Sequence, residues 1–79
     1  MTKSVFSKEY KKFCALLKAE RVKARITQAV LSEDLGRAKS FVSKYELGER
    51  RLDVIEFLEI AEVVGFDPIA FIKKLQNKK

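Results

Sequence analysis

The chain contains no histidine. Imidazole acid–base catalysis and histidine-ligated metal sites are therefore excluded. Its single cysteine, Cys14, can form neither an internal disulfide nor a thiolate metal cluster. The setting KKFCALLK marks that thiol as a small core residue. No run of about 20 apolar residues could cross a bilayer. The opening residues MTKSVFSKEYKK hold no apolar stretch of the secretory kind. A cytoplasmic protein without membrane association is therefore expected. Repeats, low-complexity segments and the period-two alternation of a half-buried strand are also missing.

Proline and glycine are scarce, with one and three copies, and each falls where a helix would begin or stop. Gly36, Gly48 and Gly65 follow apolar segments of helical period. Glycine there can turn left-handed without a Cβ clash. Pro68 follows Asp67, at a first helical position where a missing N–H costs nothing. With Ser7, Thr27, Asp53 and Asp67 as N-caps, helices are expected over residues 8–24, 28–35, 39–47, 54–64 and 68–75. The start DVIE reads as a capping box with Glu56 at its third helical position. The expected fold class is all-α, with residues 1–79 forming one domain. A domain of this length buries a modest share of its surface, so a second copy would add stability.

The apolar positions assign inner faces. Tyr10, Phe13, Cys14, Leu17 and Ala24 recur at helical spacing in the first helix. Leu31 and Leu35 do so in the second, and Val42 and Tyr45 in the third. In the fourth, Asp53, Glu56, Glu59 and Glu62 form a narrow acidic stripe, and apolar residues cover nearly everything else. So wide an arc exceeds what one buried stripe requires. Either that helix is central or its second flank meets another chain. The stripe reads as a solvated row, because paired catalytic carboxylates need a cleft and perturbed pKa values. The ending QNKK reads as a frayed tail.

What the chain has in plenty is positive charge. Seventeen Lys and Arg oppose eleven Asp and Glu, a net +6. Residues 1–25 hold eight cations and two acids, residues 26–52 five and four, and residues 53–79 four and five. The first third therefore supplies the excess, and a one-sided field of this kind suits docking on a polyanion.

Only GRA separates the second and third helices, which makes them a helix-turn-helix candidate. On the third helix Val42 and Tyr45 face inward, while Lys39, Ser40, Ser43 and Lys44 face outward. Lysine can donate to guanine O6 and N7, and serine can donate or accept at a base edge. Phe41 lies between the two faces and reads as packing. Without a histidine base the serines do not support nucleophilic catalysis, so no catalytic residue is expected.

The stretch ITQAVLSEDLGRAKSFVSKYELGERRLDVIEFLEIAEVVGFDP resembles the Cro and phage-repressor, or XRE-type, class of helix-turn-helix DNA-binding domains. Ile26, Thr27, Gln28, Leu31, Leu35, Gly36, Ser40, Val42, Ser43, Glu46, Gly48 and Arg50 carry the resemblance. It spans about residues 16–72 and implies a compact five-helix lambda-repressor-like fold. Gln28 would clamp a phosphate or brace the start of the reading helix. Ala38, Lys39, Ser40 and Lys44 would approach base edges, with Ser43 at the margin. Arg50 and Arg51 would meet the DNA backbone. Arg21 and Glu46 would form an ion pair that also holds Arg21 near the backbone.

Four positions depart from the pattern. Arg25 stands where glycine is frequent, and Ser32 where alanine is. Arg37 replaces an apolar turn residue and could reach a phosphate instead. Ala38 replaces a capping Ser or Thr, which weakens the start of the third helix by about 1 kcal/mol.

The resemblance implies double-stranded DNA as partner, with no cofactor and no metal. A single small module buries only about 600–1,000 Å² of its surface on DNA. A homodimer on a pseudo-palindromic operator is therefore expected. Its contact is placed on Phe66, Ile69, Phe71, Ile72 and Leu75, with Ile60 and Val63 beside them. The alternative is an antitoxin or other protein-interaction module on the same fold, using exposed Ala29 and Val30 against a partner protein.

Overall fold

The computed structural model describes residues 7–77. The readings of the first six residues and of Lys78 and Lys79 lie outside the described residues. The chain forms five helices: α1 (Lys8–Lys23), α2 (Gln28–Asp34), α3 (Phe41–Glu46), α4 (Val54–Val64) and α5 (Pro68–Gln76). The described residues contain no strand, and the fold is all-α.

Helix starts follow the local chemistry of the sequence. Ser7 Oγ accepts from the Tyr10 amide at 3.0 Å, and Thr27 Oγ1 from the Val30 amide at 3.1 Å. Asp67 Oδ1 accepts from the Ile69 amide at 2.9 Å, with Pro68 in the first turn. At α4 the capping box is complete. Asp53 Oδ1 accepts from the Glu56 amide at 2.8 Å, and Glu56 Oε1 accepts from the Asp53 amide at 3.0 Å. These caps satisfy backbone donors that a helix start leaves free.

Five helix bounds differ from expectation, and α1, α2 and α3 each stop one residue early, at Lys23, Asp34 and Glu46. Helix α3 begins at Phe41, two residues later than the sequence implies, and Ser40 at its N-cap makes no side-chain capping bond. Helix α5 continues to Gln76, and the Asn77 carbonyl accepts from Lys12 Nζ at 2.7 Å. Gln76 is thus helical and Asn77 is tied to α1, so this part of the ending is not frayed. Before α2, Arg25 adopts φ 62, the left-handed conformation that disfavours a Cβ.

The core gathers Leu17, Leu31, Phe41, Val42, Tyr45, Phe57, Ile60 and Phe71. Phe71 is its aromatic hub, with ring centroids 5.1 Å from Phe57, 5.1 Å from Phe66 and 5.8 Å from Phe13. Such ring pairs add to the area they bury. This corrects the expected dimer surface: Phe71 is 2% exposed and Ile60 1%, so neither can meet a second copy without opening its own protomer. Ala24 is exposed, and the buried position that follows Leu17 on α1 is Arg21.

Helix α4 is central along one flank only. Phe57, Ile60 and Ala61 are buried, whereas Val54, Ile55, Leu58 and Val63 are exposed in the protomer. The acidic stripe also divides. Asp53, Glu59 and Glu62 are solvated, but Glu56 is buried at 8% exposure. The reading of Glu56 as one of a solvated row is therefore corrected.

Candidate nucleic-acid interface

Helix α3 owes its position to both neighbours. Val42 and Tyr45 are fully buried and Phe41 is 7% exposed. Phe41 meets Tyr45 edge-on at 5.4 Å between centroids, so it packs as the sequence implies. With so apolar an inner face, the register of α3 is fixed and its opposite side is left to solvent.

A buried ion pair locks that register. Glu46 accepts from Arg21 Nε at 2.7 Å and from Arg21 Nη2 at 3.1 Å, a fork geometry that joins α3 to α1. Arg21 Nη1 also donates to the Ile26 carbonyl at 2.9 Å, in the turn before α2. Gln28, first in α2, donates its side-chain amide to Glu46 Oε1 at 2.9 Å. One carboxylate thus gathers α1, α2 and α3. The bond to Glu46 raises the Arg21 pKa above its ordinary value, against the opposing effect of burial. Gln28 thus holds the last residue of α3 rather than its start, where the resemblance placed its bracing role.

On the outer side Ala38, Lys39, Ser40 and Lys44 are all exposed. Neither lysine forms an ion pair among the described residues. Ser43 is half-buried, and its hydroxyl donates to the Ser40 carbonyl at 3.0 Å. That bond occupies its donor and leaves it less suited to a base edge than Ser40.

The arginines expected at the backbone are not loose. Arg51 is exposed and lays its guanidinium 4.1 Å from the centre of the Tyr10 ring. Arg37 and Arg50 both bond to Glu56, at 2.9 Å and 2.8 Å. The structure therefore places Arg37, Arg50 and Arg51 around α3 but braces each of them. The Arg50 guanidinium is the first cause that pulls the Glu56 carboxyl down to about 2, helped by the Asp53 amide and Arg37.

Two functional contributions escaped the sequence. Ser32, completely buried, accepts from the Val42 amide at 3.2 Å. Its hydroxyl does for α3 what Ala38 cannot. Glu56 was legible as part of a capping box, but its arginine partners lie six and nineteen residues away. No group of three or more His, Cys, Asp or Glu is arranged to hold a metal among the described residues. No helix of the described residues is long and apolar enough to cross a membrane.

Two short helices in a tight turn, the second buried on one face and cationic on the other, define a helix-turn-helix DNA-binding domain. The helix-turn-helix family profile matches residues 17–71. A solved XRE-family like protein from Pseudomonas syringae pv. tomato str. DC3000 is 48% identical, with a TM-score of 0.82 over 86% of this chain and 83% of that one. No curated protein matches. The chain belongs to the XRE-type helix-turn-helix family, the Cro and phage-repressor class.

Proposed function

We propose that this chain is a sequence-specific transcriptional regulator that binds a pseudo-palindromic operator in double-stranded DNA as a homodimer. One observation carries the reading. Lys39, Ser40 and Lys44 stand exposed on and beside a helix whose other face is buried and whose tilt is held by Glu46. A rigid rod with donors on its free face is what the major groove admits. Ala38, Lys39, Ser40 and Lys44 face base edges, with Ser43 contributing less. Arg37, Arg50 and Arg51 face phosphates, and Arg21 and Gln28 contribute by holding α3 in place through Glu46.

For the second copy, α5 offers Ile69, 65% exposed, and Ile72, 37% exposed, with Phe66 and Leu75 half-buried beside them. Exposed apolar residues grouped on one short helix favour a self-association surface. Selection of bound sites from random DNA tests the function. An enriched motif with two inverted half-sites about one helical turn apart, or a multiple of it, supports the reading. A folded protein that enriches nothing overturns it. Replacing Ile69 and Ile72 together with Asp is expected to give monomers in ultracentrifugation with helicity retained. An unchanged dimer mass moves the contact to Val54, Ile55 and Leu58.

A second reading rests on Val30, which is 47% exposed beside exposed Ala29 on α2. An antitoxin-like module would use that pair against a partner protein. Val30→Glu separates the two readings: it disturbs partner binding and leaves operator choice unchanged.

A further inference from the structure

Glu56 stands on the first turn of α4, yet its partners come from both flanks of α3. Arg37, in the turn before α3, donates Nη2 to Oε2 at 2.9 Å. Arg50, in the loop after α3, donates Nη1 to Oε1 at 2.8 Å, and the same nitrogen reaches the Arg51 carbonyl at 2.7 Å. Both guanidinium carbons lie over the ring of Phe41, at 4.6 Å and 5.0 Å from its centre. Phe41 is the first residue of α3. The carboxylate and the ring therefore fix the two forks relative to each other and to the reading helix.

The arrangement leaves both forks partly unspent. Among the described residues Arg37 Nη1 and Arg50 Nη2 make no hydrogen bond, and the two side chains are 34% and 40% exposed. Two guanidinium groups this close would repel one another if the carboxylate between them were absent. With it the cluster carries one net positive charge and presents planar N–H donors outward. Planar donors suit the paired oxygens of a phosphate diester, and stacking on an aromatic ring lowers the cost of holding them still.

We infer that Glu56 is a positioning residue for a two-arginine phosphate clamp. It holds Arg37 and Arg50 at the two flanks of α3 so that both grip the sugar–phosphate backbone of the duplex α3 reads. The inference rests on the DNA-binding reading above and adds to it the residue that sets where the backbone must lie.

The test turns on a sign. Counting charges alone, removing a carboxylate from a DNA-facing surface tightens binding. In a clamp it weakens binding, because the forks lose their setting. Glu56→Gln keeps the size of the side chain and an acceptor for the Asp53 amide. Its affinity for a mixed-sequence duplex, read by fluorescence anisotropy across salt concentrations, is expected to fall about tenfold. The slope of log affinity against log salt is expected to fall by about one unit or more, one for each phosphate that the forks release. Arg50→Lys is the second arm. It preserves charge and the link to Glu56 but has no fork, and about the same loss is expected. This arm stands even where the Gln variant fails to fold, as judged by its circular dichroism melt. Equal or tighter binding by folded Glu56→Gln, or wild-type affinity in Arg50→Lys, overturns the clamp while leaving the DNA reading intact. A folded wild-type protein that ignores the duplex overturns the DNA reading and the clamp with it.

Discussion

The amide of Val42 donates to the hydroxyl of Ser32 across 3.2 Å, joining the first turn of α3 to the last turn of α2. In sequence, Ser32 and Ala38 are two separate departures from the family pattern. In space they compensate: the acceptor missing from the start of α3 is supplied by the helix that crosses it. Ser32 is fully buried, so water cannot take its place.

Ser32→Ala is therefore expected to cost about 1–2 kcal/mol, the range for losing a capping acceptor or leaving a buried amide unpaired. Chemical denaturation measures it. An unchanged midpoint would mean that the Val42 amide finds another acceptor and that the bond does not hold α3.

Glu46 is the joint of three helices, and its removal should act through what it leaves behind. Glu46→Leu strands the buried Arg21 guanidinium and is expected to destabilise by about 3–5 kcal/mol. Adding Arg21→Leu should recover much of that loss, because two apolar groups replace an orphaned charge. A double-mutant cycle with no coupling between the two sites would contradict the buried pair.

Glu56 ties stability to acid. Its folded pKa of about 2 lies below the ordinary 4.5, so the folded state favours the ionised form. The stabilisation is complete above about 4.5 and is lost as pH falls from there through about 2. The stability gap between wild type and Glu56→Gln should stay constant above that window and close within it. A gap that does not vary with pH would detach the carboxylate's charge from the fold.

Lys44 and Arg51 should separate reading from holding. Lys44→Ala is expected to weaken the preferred site by about 1–3 kcal/mol and relax its sequence preference. Arg51→Ala should weaken all duplexes about equally and lower the salt slope by about one. Binding curves in which the two variants behave alike would abolish that division of labour.

The sequence was explicit about whatever depends on near neighbours. Caps at Ser7, Thr27, Asp53 and Asp67 lie within three residues of the amides they serve. Gly36, Gly48 and Gly65 all take positive φ at the turns assigned to them. The inward pair Val42 and Tyr45 follows from helical period alone, and the Arg21–Glu46 pair was legible through the family resemblance. Illegible were the late start of α3, the burial of Phe71 and the capture of Arg37 and Arg50 by Glu56.

Local chemistry thus determined five helices, most of their starts and a cationic face on the third, because capping, left-handed turns and periodicity are settled within a few residues. Tertiary packing decided which apolar side chains were spent inside the protomer. It also decided which carboxylate met which arginine. Both outcomes depend on the angle at which helices cross, and no spacing along the chain encodes that angle directly. The sequence marks Glu56 as a capping residue but counts it with Glu59 in one acidic row; only the closeness of α4 to the flanks of α3 makes one a solvated charge and the other a buried anchor.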